Sequence, residues 1–311
     1  MQTFGDSVIN TSVTIGRFLD IDDSELTFTL LFTVRLEWYD DNLKFLFLKD
    51  YMMENIVNEE MKKQIWNPEV MVLVPDPRYQ HKISEYLTVR KEGEPKLSHD
   101  NDKLFFNETY HGNQNSFVKD TYIQSKFICS FNKIQSYPFG VQTCTINIFL
   151  KGSDEFRIKM VAKNLLLFHD TIELMNKGDD TYEVGQYFVK SWSLYNTEKG
   201  NTVTLELNMI RSLFKIFMVT YLPTILMNVM NQAVVYIRTE NKFDLIITVN
   251  ITCMMVLASM YLSVSSSLPS TANIKPIEIW LLVNLIYPVF VIISNVIVQV
   301  TIYIKNGLKH H

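Results

Sequence analysis

The sequence predicts an all-β sandwich followed by an α-helical transmembrane domain, a two-part membrane protein. Three observations carry this. Charge is unevenly spread: residues 1–211 hold 23 basic and 30 acidic side chains, whereas residues 212–311 hold 6 and 3 and are otherwise mostly apolar. The second part contains three apolar stretches long enough to cross a bilayer. The first part consists of short runs of β-branched and aromatic residues, broken at close intervals by Asp, Asn, Gly or Pro. The predicted domains are therefore 1–211 and 212–311, with helices over about 213–237, 245–266 and 277–304.

In chain order, strand signals fall at Val13–Phe18, Leu26–Trp38, Phe127–Phe131, Thr145–Phe149, Phe188–Trp192 and Thr202–Met209. The last alternates polar and apolar residues, as a half-buried antiparallel strand should. About ten such runs point to a sandwich of two sheets. An amphipathic helical stretch, Asn55 to Ile65, interrupts them, and the polar tract Lys91 to Asp102 reads as an exposed loop. With 10 Gly and 9 Pro in 311 residues and 47% hydrophobic side chains, neither disorder nor a collagen-like repeat is compatible. A net charge of -4 gives nucleic acid no electrostatic footing.

The apolar stretches Leu213–Ile237, Leu245–Val264 and Ile279–Ile304 contain a single charge, Lys215. Soluble helices rarely run this long without a polar face. Arg238 and Lys242 follow the first stretch and Lys305 and Lys309 the third, while only Lys275 separates the second from the third. The positive-inside tendency then places the N-terminal domain outside a plasma membrane crossed several times. That placement makes Asn10 (Asn10-Thr11-Ser12) and Asn107 (Asn107-Glu108-Thr109) glycosylation acceptors. Met1 is followed by Gln2, Gly5 and Asp6 with no basic then apolar leader, so a processed form is expected.

Cys253 lies in the second apolar stretch and reads as a small buried side chain. Cys129 and Cys144 lie outside the membrane and are expected to form a disulfide, which stabilises by roughly 3 kcal/mol for a loop of this size. Ser136-Tyr137-Pro138-Phe139-Gly140 sits within that loop; its aromatic–proline pair favours a cis bond in a tight turn. No nucleophile elbow, phosphate loop or dinucleotide fingerprint is present, and His81, His99, His111 and His169 lack metal-ligand spacing. The expectation is no enzyme, no cofactor and no metal.

The segment Cys129-Ser-Phe-Asn-Lys-Ile-Gln-Ser-Tyr-Pro-Phe-Gly-Val-Gln-Thr-Cys144 resembles the signature loop of Cys-loop receptors, the pentameric ligand-gated ion channels. The resemblance runs along nearly the whole chain. Trp38-Tyr39-Asp40-Asp41-Asn42-Leu43 is similar to the family's Trp-x-Asp segment, and Trp66-Asn67-Pro68-Glu69 to its Trp-x-Pro-Asp. Arg211 stands where the family places a basic residue before its first membrane helix. Tyr221-Leu222-Pro223 resembles that helix's proline region, and Leu268-Pro269-Ser270-Thr271 the end of the second. Three features depart from the family: one extra residue in the cysteine loop with Gly140 in place of Asp, no fourth membrane helix in this sequence, and few ligand-site aromatics.

In the second helix Thr248, Thr252, Met255, Ser259, Leu262 and Ser266 recur at helical spacing and share one face. Such a stripe either lines a water-filled conduit or bonds its hydroxyls to its own backbone. The resemblance implies pore lining, with Asp244 at the cytoplasmic mouth. Anion-selective relatives usually carry Pro-Ala-Arg there, and this chain has Thr239-Glu240-Asn241-Lys242-Phe243-Asp244, so cations are expected. The family's agonist cage maps onto Thr33, Leu73 and Lys151, with Tyr187, Trp192 and Tyr195 as the late-loop aromatics. Arg35 falls where glycine and GABA receptors place an arginine for the ligand carboxylate. Arg35 and Lys151 favour an anionic small-molecule agonist; the plainer reading pairs Arg35 with Glu37 or another carboxylate. Coupling is expected through Tyr137, Pro138, Phe139, Arg211 with Asp40 as partner, and the linker Pro269 to Pro276, which includes Lys275. The implied partners are four further subunits as a homopentamer, permeant ions and membrane lipids. A non-conducting subunit or a membrane-anchored binding protein is the rival.

Overall fold

The computed structural model describes residues 8–22, 25, 27–74, 77–98, 107–129, 137–152, 158–167, 182–197, 201–236, 242–268 and 274–307. Two five-stranded sheets face each other. The first is ordered β10 (Lys159–Leu167), β1 (Val8–Asp22), β2 (Thr27–Trp38), β8 (Phe117–Ile128), β5 (Gln80–Val89). The second is β11 (Tyr182–Val184), β12 (Tyr187–Asn196), β13 (Thr202–Arg211), β9 (Val141–Leu150), β4 (Val70–Val72). A small sheet of β3 (Lys44–Leu46), β7 (Asn107–His111) and β6 (Lys96–Ser98) forms a third ladder, with Phe45 packed edge to face on Phe117 of β8.

Strict alternation builds the core. On β2, Phe28, Leu30, Phe32, Val34, Leu36 and Trp38 are all buried, each stabilising the fold by about 1.5–3 kcal/mol. They meet Val203, Leu205, Leu207 and Met209 of β13, which alternate in the same way. Trp38 and Trp66 pack edge to face at 5.8 Å, and Phe117 stacks on Trp38 at 5.4 Å. The two tryptophan segments thus close one end of the sandwich. At the other end the disulfide Cys129–Cys144 joins the end of β8 to β9, fastening one sheet to the other.

Three helices are long and apolar enough to cross a membrane: Leu213–Tyr236, Phe243–Ser267 and Pro276–Lys305. In the first, a wide π turn over Phe217–Tyr221 precedes Pro223, whose ring cannot donate to the preceding turn. Polar rungs tie the first helix to the third. Trp280 Nε1 donates to Thr224 Oγ1 at 3.1 Å, Asn228 Nδ2 donates to Asn284 Oδ1, and the Tyr287 hydroxyl donates to Gln232 Oε1 at 2.5 Å. Such bonds hold helices together where lipid offers no hydrophobic drive.

Two local expectations change. The helical stretch Asn55–Ile65 shrinks to Glu59–Lys62 because the Asn58 side chain accepts from Met61 N and caps it there. Upstream, the Asn55 amide is bound to the Lys49 and Val89 backbones and holds the chain out of helix. The tract Lys91–Asp102 contains β6, paired with β7; residues 99–102 lie outside the described set. Asn10, expected as a glycosylation acceptor, is half-buried in β1, flanked by Glu37 of β2 and Val161 of β10. Asn107 begins β7, and its side chain lies outside the described residues.

Candidate ligand face, membrane junction and second helix

Arg35 and Asp120 stand opposite each other in the β2–β8 register, so both side chains leave the same outer face. Arg35 Nε and Nη2 donate to the two carboxylate oxygens of Asp120 at 2.7 and 2.8 Å, a bidentate fork. That bond to Asp120 pushes the Arg35 pKa up. Tyr86 and Tyr122 pack edge to face at 6.1 Å beside the pair. Arg90 and Lys163 both reach Glu37 on the same face. The plainer sequence reading of Arg35, a pair with a carboxylate of its own chain, is what forms, and the carboxylate is Asp120 rather than Glu37.

Lys151, just past β9, sits 3.1 Å from Glu69 and is exposed. Tyr195 is exposed on the outer face of the second sheet, its hydroxyl 3.3 Å from Glu206. Arg35 and Tyr195 therefore lie on opposite outer faces of one sandwich, and neither can meet the other within a single chain. Two candidates do not join them. Trp192 faces Leu207 across the β12–β13 ladder and packs against the core. Tyr187 is buried at the far end of β12, against Arg211.

That far end is the junction with the membrane helices. Arg211 is 7% exposed, lies 4.4 Å from the centre of the Tyr137 ring and 4.7 Å from that of Tyr187. Its guanidinium donates to both hydroxyls, to Tyr137 at 2.8 Å. Tyr137 also packs on the apolar cluster of Ile216, Leu268, Ile277 and Leu281, which unites the outer ends of all three membrane helices. Pro138 is buried behind a cis peptide bond and Phe139 is exposed. Lys275 is buried, its amide donating to Glu278 at 2.9 Å; Pro269 lies outside the described residues.

Asp40 is not at this junction. It follows β2 at the opposite end, and 12 residues of strand at about 3.3 Å each hold the two ends roughly 35 Å apart. Its carboxylate accepts from Asn42 N at 3.0 Å and shapes a local turn. Gly112 packs so tightly there that a Cβ would lie 2.1 Å from the Asp40 carbonyl oxygen.

On the second helix, Asp244, Thr248, Thr252, Met255, Ser259, Leu262 and Ser266 are all exposed, while Ile246, Asn250, Cys253 and Leu257 are buried against its neighbours. The hydroxyls of Thr248, Thr252, Ser259 and Ser266 donate to carbonyls one turn back, so each keeps its lone pairs outward. Asn250 points inward and donates to Ile246 O at 2.8 Å.

Sequence reasoning missed Asp120 and the buried Lys119. Lys119 Nζ donates to Asn67 Oδ1 and Pro68 O, both at 2.7 Å, and sits 3.1 Å from Glu85. Strand register brings these groups together, and no spacing along the chain announces them.

A two-sheet sandwich, cross-linked at its base and seated through a cysteine-loop tyrosine on apolar helices, is the architecture of a membrane receptor with an N-terminal binding domain. Residues 3–216 match the family described as "Neurotransmitter-gated ion-channel ligand binding domain". The chain belongs to that family, the Cys-loop receptors, whose members are ligand-gated channel subunits rather than enzymes. It is 21% identical over 293 residues to the gamma-aminobutyric acid receptor subunit beta of Caenorhabditis elegans, covering 91% of this chain and 47% of that one. The chain thus spans about half the length of the curated relative it matches.

Proposed function

We propose that this chain is one subunit of a pentameric ligand-gated ion channel in the plasma membrane, with residues 1–211 as the external binding domain and 212–311 as the membrane domain. Five copies bring the Arg35 face of one sandwich against the Lys151 and Tyr195 face of the next, which is where the agonist binds. Both cations already hold a carboxylate, so an anionic agonist competes with Asp120 or Glu69 for them. The pore is lined by the exposed stripe of the second helix, with Met255 and Leu262 as apolar constrictions that gate by dewetting. Asp244, exposed at the first turn of that helix, forms the ring that favours cations.

The observation that carries the reading is the position of Tyr137, in contact with Arg211 on one side and, on the other, packed on the apolar cluster of Ile216, Leu268, Ile277 and Leu281 that includes the end of the second helix. Movement of the sandwich therefore reaches the pore helix through packed side chains. Binding moves the closed–open balance only by its differential affinity for the two states. The test is voltage-clamp of cells expressing this chain alone, with γ-aminobutyric acid, glycine, glutamate and acetylcholine as probes and with ion substitution. A ligand-evoked current with a cation-dependent reversal potential is expected. Silence from pentamers demonstrated at the cell surface would support the non-conducting reading.

A further inference from the structure

A cleft of about 390 Å³ opens where the sandwich meets the first membrane helix. Its walls include Phe18 and Asp20 from the end of β1, Gly185 and Tyr187 from the β11–β12 turn, and Lys215 from the third residue of the helix. The volume falls in the range of small-ligand sites. Asp20 and Lys215 are exposed, and neither makes an ion pair among the described residues. Gly185 sits at φ +61° with nothing near the place of a Cβ, which keeps the cleft open on that side. Around it Leu19, Leu213, Phe214 and Phe217 are exposed apolar residues.

We infer that this cleft binds the headgroup of a zwitterionic phospholipid of the outer leaflet, phosphate on Lys215 and ammonium on Asp20. The order of charges selects the ligand. Lys215 belongs to the membrane helix, and Asp20 lies on the sandwich side of it. A phosphatidylcholine headgroup has the same order, its phosphate next to the glycerol and its ammonium farthest out. Phe214 and Phe217 offer an apolar surface to the acyl chains. A simple anion would have no use for Asp20. Tyr187 also holds Arg211, so an occupied cleft abuts the junction. The inference rests on the reading that the sheets lie outside the bilayer.

The experiment reconstitutes the full chain, carrying Leu19→Trp as reporter, into dioleoylphosphatidylcholine vesicles doped with choline-nitroxide lipid; emission from the chain without the reporter is subtracted. Quenching is expected, and Asp20→Ala or Lys215→Ala should each weaken it by about two- to fivefold, the scale of one exposed charge contact. The exchanged pair Asp20→Lys with Lys215→Asp should not restore it, because the charge order is then reversed. Quenching unchanged by either substitution means ordinary bilayer contact, and quenching raised by Asp20→Ala means an anion site; either result overturns the proposal. Neither needs an agonist or a current. A chain that fails to insert overturns this inference together with the membrane reading, whereas insertion without charge-dependent quenching overturns this inference alone.

Discussion

Removing one oxygen from Tyr137 isolates the contact on which coupling depends. In Tyr137→Phe the ring stays, so its cation–π contact with Arg211 at 4.4 Å is kept. What is lost is the 2.8 Å bond from Arg211 Nη1 to the hydroxyl. A hydrogen bond to a charged group is worth about 1.5–3 kcal/mol, and Arg211 is too buried for water to replace it fully. If the bond is made in only one of the closed and open states, that energy shifts their ratio by roughly 10- to 150-fold, since 1.4 kcal/mol is tenfold. If it is made equally in both, stability falls and gating does not move. We expect a change of at least tenfold in half-maximal agonist concentration for the active probe. Arg211→Gln should produce a larger change, because it removes the charge from two rings and two hydroxyls at once. Adding Tyr137→Phe to Arg211→Gln should then change little, as expected for residues in direct contact. Agonist responses unchanged in both single variants, at normal surface expression, would refute the coupling role of this contact.

Other substitutions test the remaining parts. Asp244→Lys should move the reversal potential toward that of the anion in ion-substitution recordings; an unchanged value removes Asp244 from the selectivity ring. Glu85→Gln leaves Lys119 buried without its carboxylate and should cost about 3 kcal/mol, the low end for a buried pair because Glu85 keeps some solvent contact. Burial alone would raise the Glu85 pKa, but Lys82 and Lys119 outweigh it and hold the carboxyl below its usual range. Its stabilisation is therefore present above the unfolded pKa of about 4.3 and lost as pH falls through the lower folded value. Thermal unfolding between neutral and acid pH should show this loss in the parent and a flatter profile in Glu85→Gln. Replacing Cys129 and Cys144 by Ser removes a cross-link closing a 15-residue separation. It should lower stability by roughly 3 kcal/mol, which thermal unfolding of the purified chain reports.

Much of the fold was legible in the chain because its causes are local. The period-two pattern on β2 and β13 states its own burial, and the three long apolar stretches state their own length and hydropathy. The second helix is the clearest case, since a stripe at helical spacing needs no partner to be recognised. The ligand face was legible only in part. Arg35 was found, but its fork is filled by Asp120, 85 residues away in sequence and directly across the ladder. Trp192 and Tyr187 carried the right side chains in the right strand, and pleat and position sent one to the core and the other to the junction.

What the sequence by itself determined is the class of each segment: sandwich strands, membrane helices, a disulfide loop and a hydroxyl face. Charge, hydropathy and periodicity are properties of neighbours along the chain. Only the tertiary structure decided which charges pair, that Asp40 lies a whole strand length from Arg211, and that Tyr137 bridges the sandwich and the helices. Those outcomes depend on register between strands distant in sequence. A shift of one residue in register turns every side chain to the other face, and no local pattern records it.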